Sequence, residues 1–98
     1  MTGTLRSSLD LDVRRRKALF RSWHRGTREM DLVLGRFADA EIDRLDDGEM
    51  SDYEALMEAP DRDIFKWLTG EAETPPNYDT PVLRRIMHFY KDGGAVQP

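Results

Sequence analysis

Apolar residues recur at spacings of three and four along most of the chain, and strict apolar–polar alternation is absent. A helix places side chains at this spacing on one face, so the pattern predicts helices and no strands. It is clearest over residues 27–45, where the apolar positions are Met30, Val33, Leu34, Phe37, Ala38, Ile42 and Leu45. Gly35 lies inside this predicted helix, where it marks a bend or a close crossing of another helix.

A shorter helix is predicted before this one, over residues 12–24. Asp12 is suited to cap its N-terminus, because an aspartate oxygen can accept a hydrogen bond from a free backbone N–H in the first turn. Gly26 ends it, because glycine adopts left-handed backbone conformations without steric cost. The apolar face is expected to consist of Val13, Leu19, Phe20 and Trp23.

Three more short helices are expected in the second half of the chain. Asp46 and Glu49 resemble a capping box, and Thr80 followed by proline is typical of a helix start. The predicted helices cover residues 47–58, 62–69 and about 81–91. The sequence therefore predicts an all-α fold, a compact single-domain bundle of five short helices joined by short loops.

Length and composition agree with one small domain. The chain has 98 residues, of which 39% are apolar and 35% charged. A domain of this size buries only about 60–65% of its unfolded surface, so a deep ligand cavity would remove contacts that the fold needs. We expect residues 1–98 to form one domain, with 1–11 and 94–98 as flexible tails.

The chain contains no cysteine, which excludes disulfides and thiolate metal sites and fits a reducing compartment. No apolar run is long enough to span a membrane. The N-terminal residues are rich in Arg and Ser, as in mitochondrial transit peptides, but Asp10 and Asp12 interrupt them. The bacterial cytoplasm is the simpler prediction for its location.

Charge is distributed unevenly along the chain. Residues 1–28 carry eight Lys or Arg and two acids, a net charge of +6, whereas residues 29–80 have a net charge of −12. The run of cations from Arg14 to Lys17 allows an alternative function, a small nucleic-acid-binding or general protein-interaction module. The acidic segment that follows would repel a duplex, so we interpret the basic helix as a solvated face or as a docking surface for an acidic protein, and no nucleic acid is expected.

Catalytic and metal-binding patterns are weak. His24 and His88 lie far apart, and neither has a second histidine three or four residues away. The sequence has no glycine-rich phosphate loop and no nucleophile elbow. We therefore expect no enzyme activity, no catalytic residue, no metal and no cofactor of the protein's own.

The segment from His24 to Asp31 joins the first two predicted helices through a glycine. Ordinary structural roles exist, since Arg25 favours the end of one helix and Glu29 the start of the next. The same arrangement places a guanidinium and a carboxylate on either side of Gly26, whose backbone a partner can approach closely. We expect both charged groups to point outward and to contribute little to stability.

The pattern Arg25-Gly26-x-x-Glu29 matches the R-G-x-x-E signature of the succinate dehydrogenase assembly factor 2 family, the FAD assembly factors of bacteria and mitochondria. Asp31 follows at a spacing that is common in the family. Residues 63–68, with the sequence DIFKWL, resemble the family's D-[LI]-F-x-W-L block. The chain is thus similar to this family at two separate motifs.

This resemblance covers about residues 12–90. His24 stands where many members have arginine, and Asp46 where a serine cap is frequent, but neither belongs to the signature. The resemblance implies a five-helix bundle that binds the flavoprotein subunit of succinate dehydrogenase and, in some bacteria, of fumarate reductase. It implies that covalent FAD attachment to that subunit is promoted, with the FAD belonging to the client.

The expected partner-binding residues come from the motif and from the basic first helix. They are Arg25, Gly26, Arg28, Glu29 and Asp31, together with Arg14, Arg15 and Arg16. No membrane contact is expected, and the protein is expected to act as a monomer. In the DIFKWL block we expect Ile64, Phe65 and Leu68 in the core, and Trp67 off that stripe, packed in the core or at its edge.

Overall fold

The computed structural model describes residues 10–93, and these form five α-helices with no strand among them. In chain order they are α1 (Val13–Ser22), α2 (Arg28–Glu41), α3 (Asp47–Leu56), α4 (Asp61–Thr69) and α5 (Pro81–Lys91). Short 3-10 turns follow α2 at Ile42–Arg44 and precede α5 at Pro76–Tyr78. The all-α prediction is confirmed.

Side-chain caps set the beginnings of four helices. Asp12, Thr27 and Thr80 each accept a hydrogen bond from the backbone N–H three residues later, at 2.8, 3.3 and 3.2 Å. The capping box before α3 is complete, because Asp46 accepts from the Glu49 N–H at 2.8 Å and Glu49 accepts from the Asp46 N–H at 3.0 Å. The predicted helix starts are therefore accurate to within one residue.

Helix ends differ more from the sequence prediction than helix starts do. α1 ends at Ser22 with Trp23 as its C-cap residue, so the prediction that Gly26 ends this helix was wrong. α2 ends at Glu41 and continues only as a 3-10 turn. Gly70 terminates α4 in the left-handed conformation, with φ of 81°. C-termini lack the side-chain signals that mark N-termini, so they are less visible in the sequence.

The helices pack around one core, with α1 lying mainly against α2, and α5 contacting α2, α3 and α4. The molecule measures 37 × 31 × 23 Å. Every apolar residue predicted for α2 and the turn after it is buried. Within residues 10–93, no helix has the length and apolar character needed to cross a membrane.

The apolar face expected for α1 was wrong at two positions. Leu19 and Trp23 are buried, but Val13 is 56% and Phe20 63% exposed. The helix turns a different face inward, which includes the small residues Ala18 and Ser22 together with Leu19. The large side chains of Val13 and Phe20 remain on the solvent side.

In α4, Trp67 packs in the core, within the range expected for it, whereas Phe65 is less buried than expected. Trp67 is only 7% exposed, because the 3-10 turn at Pro76–Tyr78 folds over it and stacks Tyr78 on its ring at 5.0 Å. Phe65 is partly buried at the edge of the core and contacts Tyr90 edge-on at 6.0 Å. The prediction of a fully packed Phe65 was therefore wrong, and the loop explains why Trp67 is covered.

A buried polar group joins the first three helices. Ser22 is completely buried, its hydroxyl donates to the Ala18 carbonyl at 2.7 Å, and it shares a hydrogen bond of 2.6 Å with the Tyr53 hydroxyl, in which either group can be the donor. The Tyr53 hydroxyl also lies 3.4 Å from the Leu34 carbonyl oxygen. Burial raises the pKa of Tyr53 above its ordinary value, since a phenolate in this core would lack solvation.

The flexible tails predicted at residues 1–11 and 94–98 fall mostly outside the part of the chain that the structure describes. Residues 1–9 and 94–98 lie outside the described residues. Leu11, which falls within the predicted N-terminal tail, is only 7% exposed and belongs to the core cluster. The chain is therefore packed one residue before the α1 cap.

Gly35 allows α1 to approach α2 closely, as its position inside α2 indicated. A β-carbon placed there would lie 2.3 Å from the Trp23 ring, which is closer than any real contact. The ring cannot move away freely, because its indole N–H donates to Asp39 at 3.1 Å and the side chain is buried. The pair therefore sets the distance between the two helices.

We predict that Gly35→Ala lowers the free energy of unfolding by about 1–3 kcal/mol, the usual cost of overpacking, even though alanine favours a helix. Urea denaturation followed by circular dichroism measures the change. Gly48→Ala is the matched control, because its β-carbon would meet only an Asp46 oxygen at 3.5 Å. Equal stability of the two variants would contradict the close-packing interpretation.

Candidate partner-binding site

The turn between α1 and α2 exposes a stretch of bare backbone at Gly26. Its φ is 112°, a conformation that favours glycine, and no atom would lie within 4 Å of a β-carbon there. The neighbouring His24 is also exposed. Space above this backbone is therefore open to a partner, and glycine is required by the backbone conformation itself.

Arg25, by contrast, is folded back onto the protein. Its guanidinium donates to Asp61 from Nε at 2.9 Å and from Nη2 at 2.7 Å. Nη1 also donates to the Met57 carbonyl at 2.9 Å, and Nη2 lies 3.4 Å from the Ala59 carbonyl. Only 10% of the Arg25 side chain and 19% of the Asp61 side chain is exposed.

The expectation that Arg25 points outward was therefore wrong. The junction between α3 and α4 presents two carbonyl groups and one carboxylate within reach, and the planar guanidinium fork can satisfy all three. Asp31 is also engaged internally, because its Oδ1 accepts from the Arg25 backbone N–H at 2.6 Å. Arg25 and Asp31 thus hold the turn in shape and leave Gly26 uncovered.

Glu29 and Arg28 occupy the exposed side of the motif. Glu29 borders a cleft of about 280 Å³ between the start of α2 and α4, whose lining consists of Thr27, Glu29, Met30, Asp61, Arg62 and Phe65. Met30 and Phe65 give this cleft apolar surface, and Glu29 and Arg62 place opposite charges at it. Such a cleft can receive an apolar side chain flanked by polar groups.

The three arginines at the start of α1 do not form one basic surface. Arg14 donates to Glu54 at 2.7 and 3.0 Å, and this hydrogen bond lowers the pKa of Glu54 below its ordinary value. Arg15 donates to the carbonyls of Ile42 and Leu45 and so braces the turn after α2. Arg16 is exposed, and its side chain has no hydrogen bond or ion pair within the part of the chain that the structure describes.

A second, larger cleft of about 350 Å³ separates α2 from α5 and includes His88. Its cations are already engaged, because Arg85 pairs with Glu41 and Glu49, and Arg84 pairs with Asp79 at 3.0 Å. His24 stacks on Phe20 at the other end of the molecule. Among residues 10–93, no group of three or more potential ligands is placed to hold a metal ion.

Comparison of the chain with known proteins identifies one protein family. A family model described as flavinator of succinate dehydrogenase matches residues 16–90. A succinate dehydrogenase assembly factor 2 from Dictyostelium discoideum mitochondria is 39% identical over 83 residues, which cover 85% of this chain. A protein of Acetobacter pasteurianus named FAD assembly factor SdhE is 40% identical over 78 residues, 80% of this chain.

The chain belongs to the family of succinate dehydrogenase flavinators, since the model match includes the motif, the DIFKWL block and all five helices in whole or part. The alignment spans 59% of the length of the Dictyostelium protein and 72% of the Acetobacter protein. A third relative, from Drosophila mojavensis, is 33% identical over 95 residues and is aligned over 60% of its length. The resemblance seen in the sequence is confirmed.

Two features of the site could not be read from the sequence. Asp61 lies 36 residues from Arg25, and no local pattern indicates that the two pair. The Met30–Phe65 cleft depends on how α2 and α4 approach each other, which residue periodicity does not encode. One signal for the carboxylate was available in the sequence. Asp61 directly follows Pro60 and so lies in the first turn of α4, a position that favours an acidic residue.

We predict that Arg25→Ala lowers the free energy of unfolding by about 1–3 kcal/mol, because it leaves Asp61 and two carbonyl groups without their donor. Glu29→Ala and Arg28→Ala are the matched controls and should each change stability by less than about 0.5 kcal/mol, since both residues are exposed. Urea denaturation of the three variants makes the comparison. Unchanged stability of Arg25→Ala would show that the hydrogen bonds of Arg25 to Asp61 and to the two carbonyl groups do not stabilise the fold.

Proposed function

We propose that this protein is an assembly factor without catalytic chemistry of its own, which binds the flavoprotein subunit of succinate dehydrogenase and promotes covalent FAD attachment to that subunit. Membership of the flavinator family supports this function and the client. The open backbone at Gly26, beside the exposed Glu29, supports the position of the contact. The flavin and the residue that receives it belong to the client.

The proposed contact surface consists of Gly26, Arg28, Glu29 and the Met30–Phe65 cleft. A client backbone can approach Gly26 closely, Glu29 can accept hydrogen bonds from it, and the cleft can take an apolar side chain. Arg25 and Asp31 act behind this surface by fixing the turn. Arg16 is the member of the α1 arginines that is free to contact the client.

Promotion of the reaction follows from holding the client, not from supplying reactive groups. A rigid surface that binds two parts of the flavoprotein together raises the effective concentration, at the flavin, of the client residue that receives it. The turn between α1 and α2 suits this role, because the hydrogen bonds of Arg25 and Asp31 hold it in one conformation. A preorganised surface loses little conformational entropy on binding. The protein then leaves the client after attachment.

Further details of the proposal follow from the same family relationship. We propose that the chain folds as one domain, acts as a monomer in the bacterial cytoplasm, and can serve a fumarate reductase flavoprotein as a second client. It requires no metal, and FAD is not a cofactor of its own. The pairing of Arg14 with Glu54 and of Arg21 with Glu58 supports a protein partner over nucleic acid, because it removes cations from any phosphate-binding surface.

Glu29→Gln should lower covalent flavinylation of a co-expressed flavoprotein subunit several-fold, because the amide keeps the size of the side chain but loses its charge. In-gel flavin fluorescence, normalised to the amount of subunit, measures the effect. Glu73→Gln, in the exposed loop before α5, is the matched control. If Glu29→Gln supports flavinylation as well as Glu73→Gln does, the carboxylate is not part of the contact.

Gly26 can be tested separately with two substitutions that share the same backbone strain. Gly26→Ala and Gly26→Arg both place a β-carbon at φ of 112° and should be destabilised to a similar extent, by about 1–3 kcal/mol. Gly26→Arg should weaken client binding more than Gly26→Ala, because its long side chain fills the space that the client backbone occupies. Equal client affinities for the two variants would assign Gly26 a conformational role alone.

A further inference from the structure

The only large apolar side chains that are mostly exposed within residues 10–93 lie together on α1. They are Val13, 56% exposed, and Phe20, 63% exposed. Seven residues separate them, so they lie within about 20° of each other around the helix axis and about 10 Å apart along it. A helix face of this kind, bare in the free protein, is more costly to hydrate than the charged surface around it.

Two cations flank this apolar pair. Arg16 and Lys17 are three and four residues from each of the apolar side chains, so they lie beside them on adjacent turns. Both are exposed, and neither side chain has a hydrogen bond or ion pair within the described range. Arg21, at the edge of the same surface, pairs with Glu58. We name the surface formed by Val13, Arg16, Lys17 and Phe20 the α1 stripe.

The α1 stripe runs directly into the motif turn. His24 stacks on the Phe20 ring, with centroids 3.9 Å apart and planes inclined by 15°, and its Nδ1 lies 2.7 Å from the Phe20 carbonyl oxygen. His24 is two residues from Gly26. One partner can therefore contact the stripe and the open glycine at the same time.

We propose that the α1 stripe is a second docking surface, which takes an acidic amphipathic segment of the flavoprotein client, and this rests on the proposed function. Charge complementarity selects such a segment, because the unpaired Arg16 and Lys17 require carboxylates beside an apolar side chain that covers Phe20. Continuity with Gly26 through His24 assigns the segment to the same client. The client would then contact this protein at two adjacent surfaces, the one at Gly26 and Glu29 and the α1 stripe.

An anionic membrane surface is a less suitable occupant. α1 has ten residues and presents only two large apolar side chains to solvent, which is little apolar area for insertion between lipid headgroups. A second copy of this chain is the other candidate, since its residues 29–80 are acidic. Both are separate outcomes of the experiment.

The experiment measures binding of the full chain to the purified flavoprotein subunit of succinate dehydrogenase, without covalent flavin, by biolayer interferometry at low and high salt. Val13→Ala/Phe20→Ala should raise Kd at least about tenfold, as truncation of an interface aromatic does. Arg16→Glu/Lys17→Glu should slow association about tenfold at low salt and much less at high salt.

Lys66→Glu/Lys91→Glu is the matched charge control, because it makes the same change in net charge at two exposed lysines outside the stripe. It should leave Kd within about twofold of the wild-type value. Circular dichroism confirms that each variant remains folded. If the control slows association as much as Arg16→Glu/Lys17→Glu does, overall charge and not the stripe attracts the client, and the proposal is overturned.

The remaining outcomes separate this inference from the proposed function. If the wild type binds the subunit and Glu29→Gln weakens binding while both stripe variants bind normally, the function stands and the stripe is not a docking surface. If the wild type does not bind, the proposed function fails and this inference with it. A wild-type dimer in sedimentation velocity that Val13→Ala/Phe20→Ala dissociates, or binding to phosphatidylglycerol vesicles that the same variant abolishes, would assign the stripe to another occupant and overturn the proposal.

Discussion

The guanidinium of Arg25 connects the α1–α2 turn to the junction between α3 and α4, and the geometry of the exposed surface depends on this connection. One planar group satisfies the Asp61 carboxylate and the Met57 carbonyl, with the Ala59 carbonyl at longer range. The Asp31 carboxylate holds the backbone N–H of the same arginine. With Arg25 turned inward, Gly26 and Glu29 form the part of the motif that a partner can reach. The signature arginine thus acts as an internal brace behind the exposed part of the motif.

Close packing of α1 on α2 is the second constraint. The missing side chain at Gly35 receives the Trp23 ring, and Asp39 fixes the ring through its indole N–H. Because Trp23 directly precedes His24 and Arg25, the depth to which the ring enters α2 also sets where the motif turn begins. Packing in the core and geometry at the surface are therefore coupled in this small domain.

The electrical asymmetry of the sequence is reduced in the folded protein. Arg14 and Arg21 of α1 pair with Glu54 and Glu58, at the end of α3 and just beyond it, so the basic segment and part of the acidic segment neutralise each other. Hydrogen bonding to Glu54 raises the pKa of Arg14, in agreement with a close ion pair. The cations that remain unpaired on α1, Arg16 and Lys17, lie beside its exposed apolar residues, and this concentrates the available charge at one surface.

The sequence by itself determined the fold class, the number and order of the helices, their N-terminal caps and the family. These features are local: a cap lies within three residues of the N–H that it accepts from, and helical periodicity is visible within one segment. The positive φ of Gly26 also follows from a local rule about helix junctions. Tertiary structure alone decided which side of α1 faces inward, how deeply Phe65 of α4 is buried, and which charged groups are free. Phe20 and Phe65 carry the same apolar signal as buried residues, but α1 turns Phe20 to solvent and α4 leaves Phe65 at a cleft, while Tyr78 covers Trp67. Arg25 and Glu29 likewise look equivalent in the sequence, and only the approach of Asp61 from 36 residues away makes Arg25 an internal brace while Glu29 stays exposed.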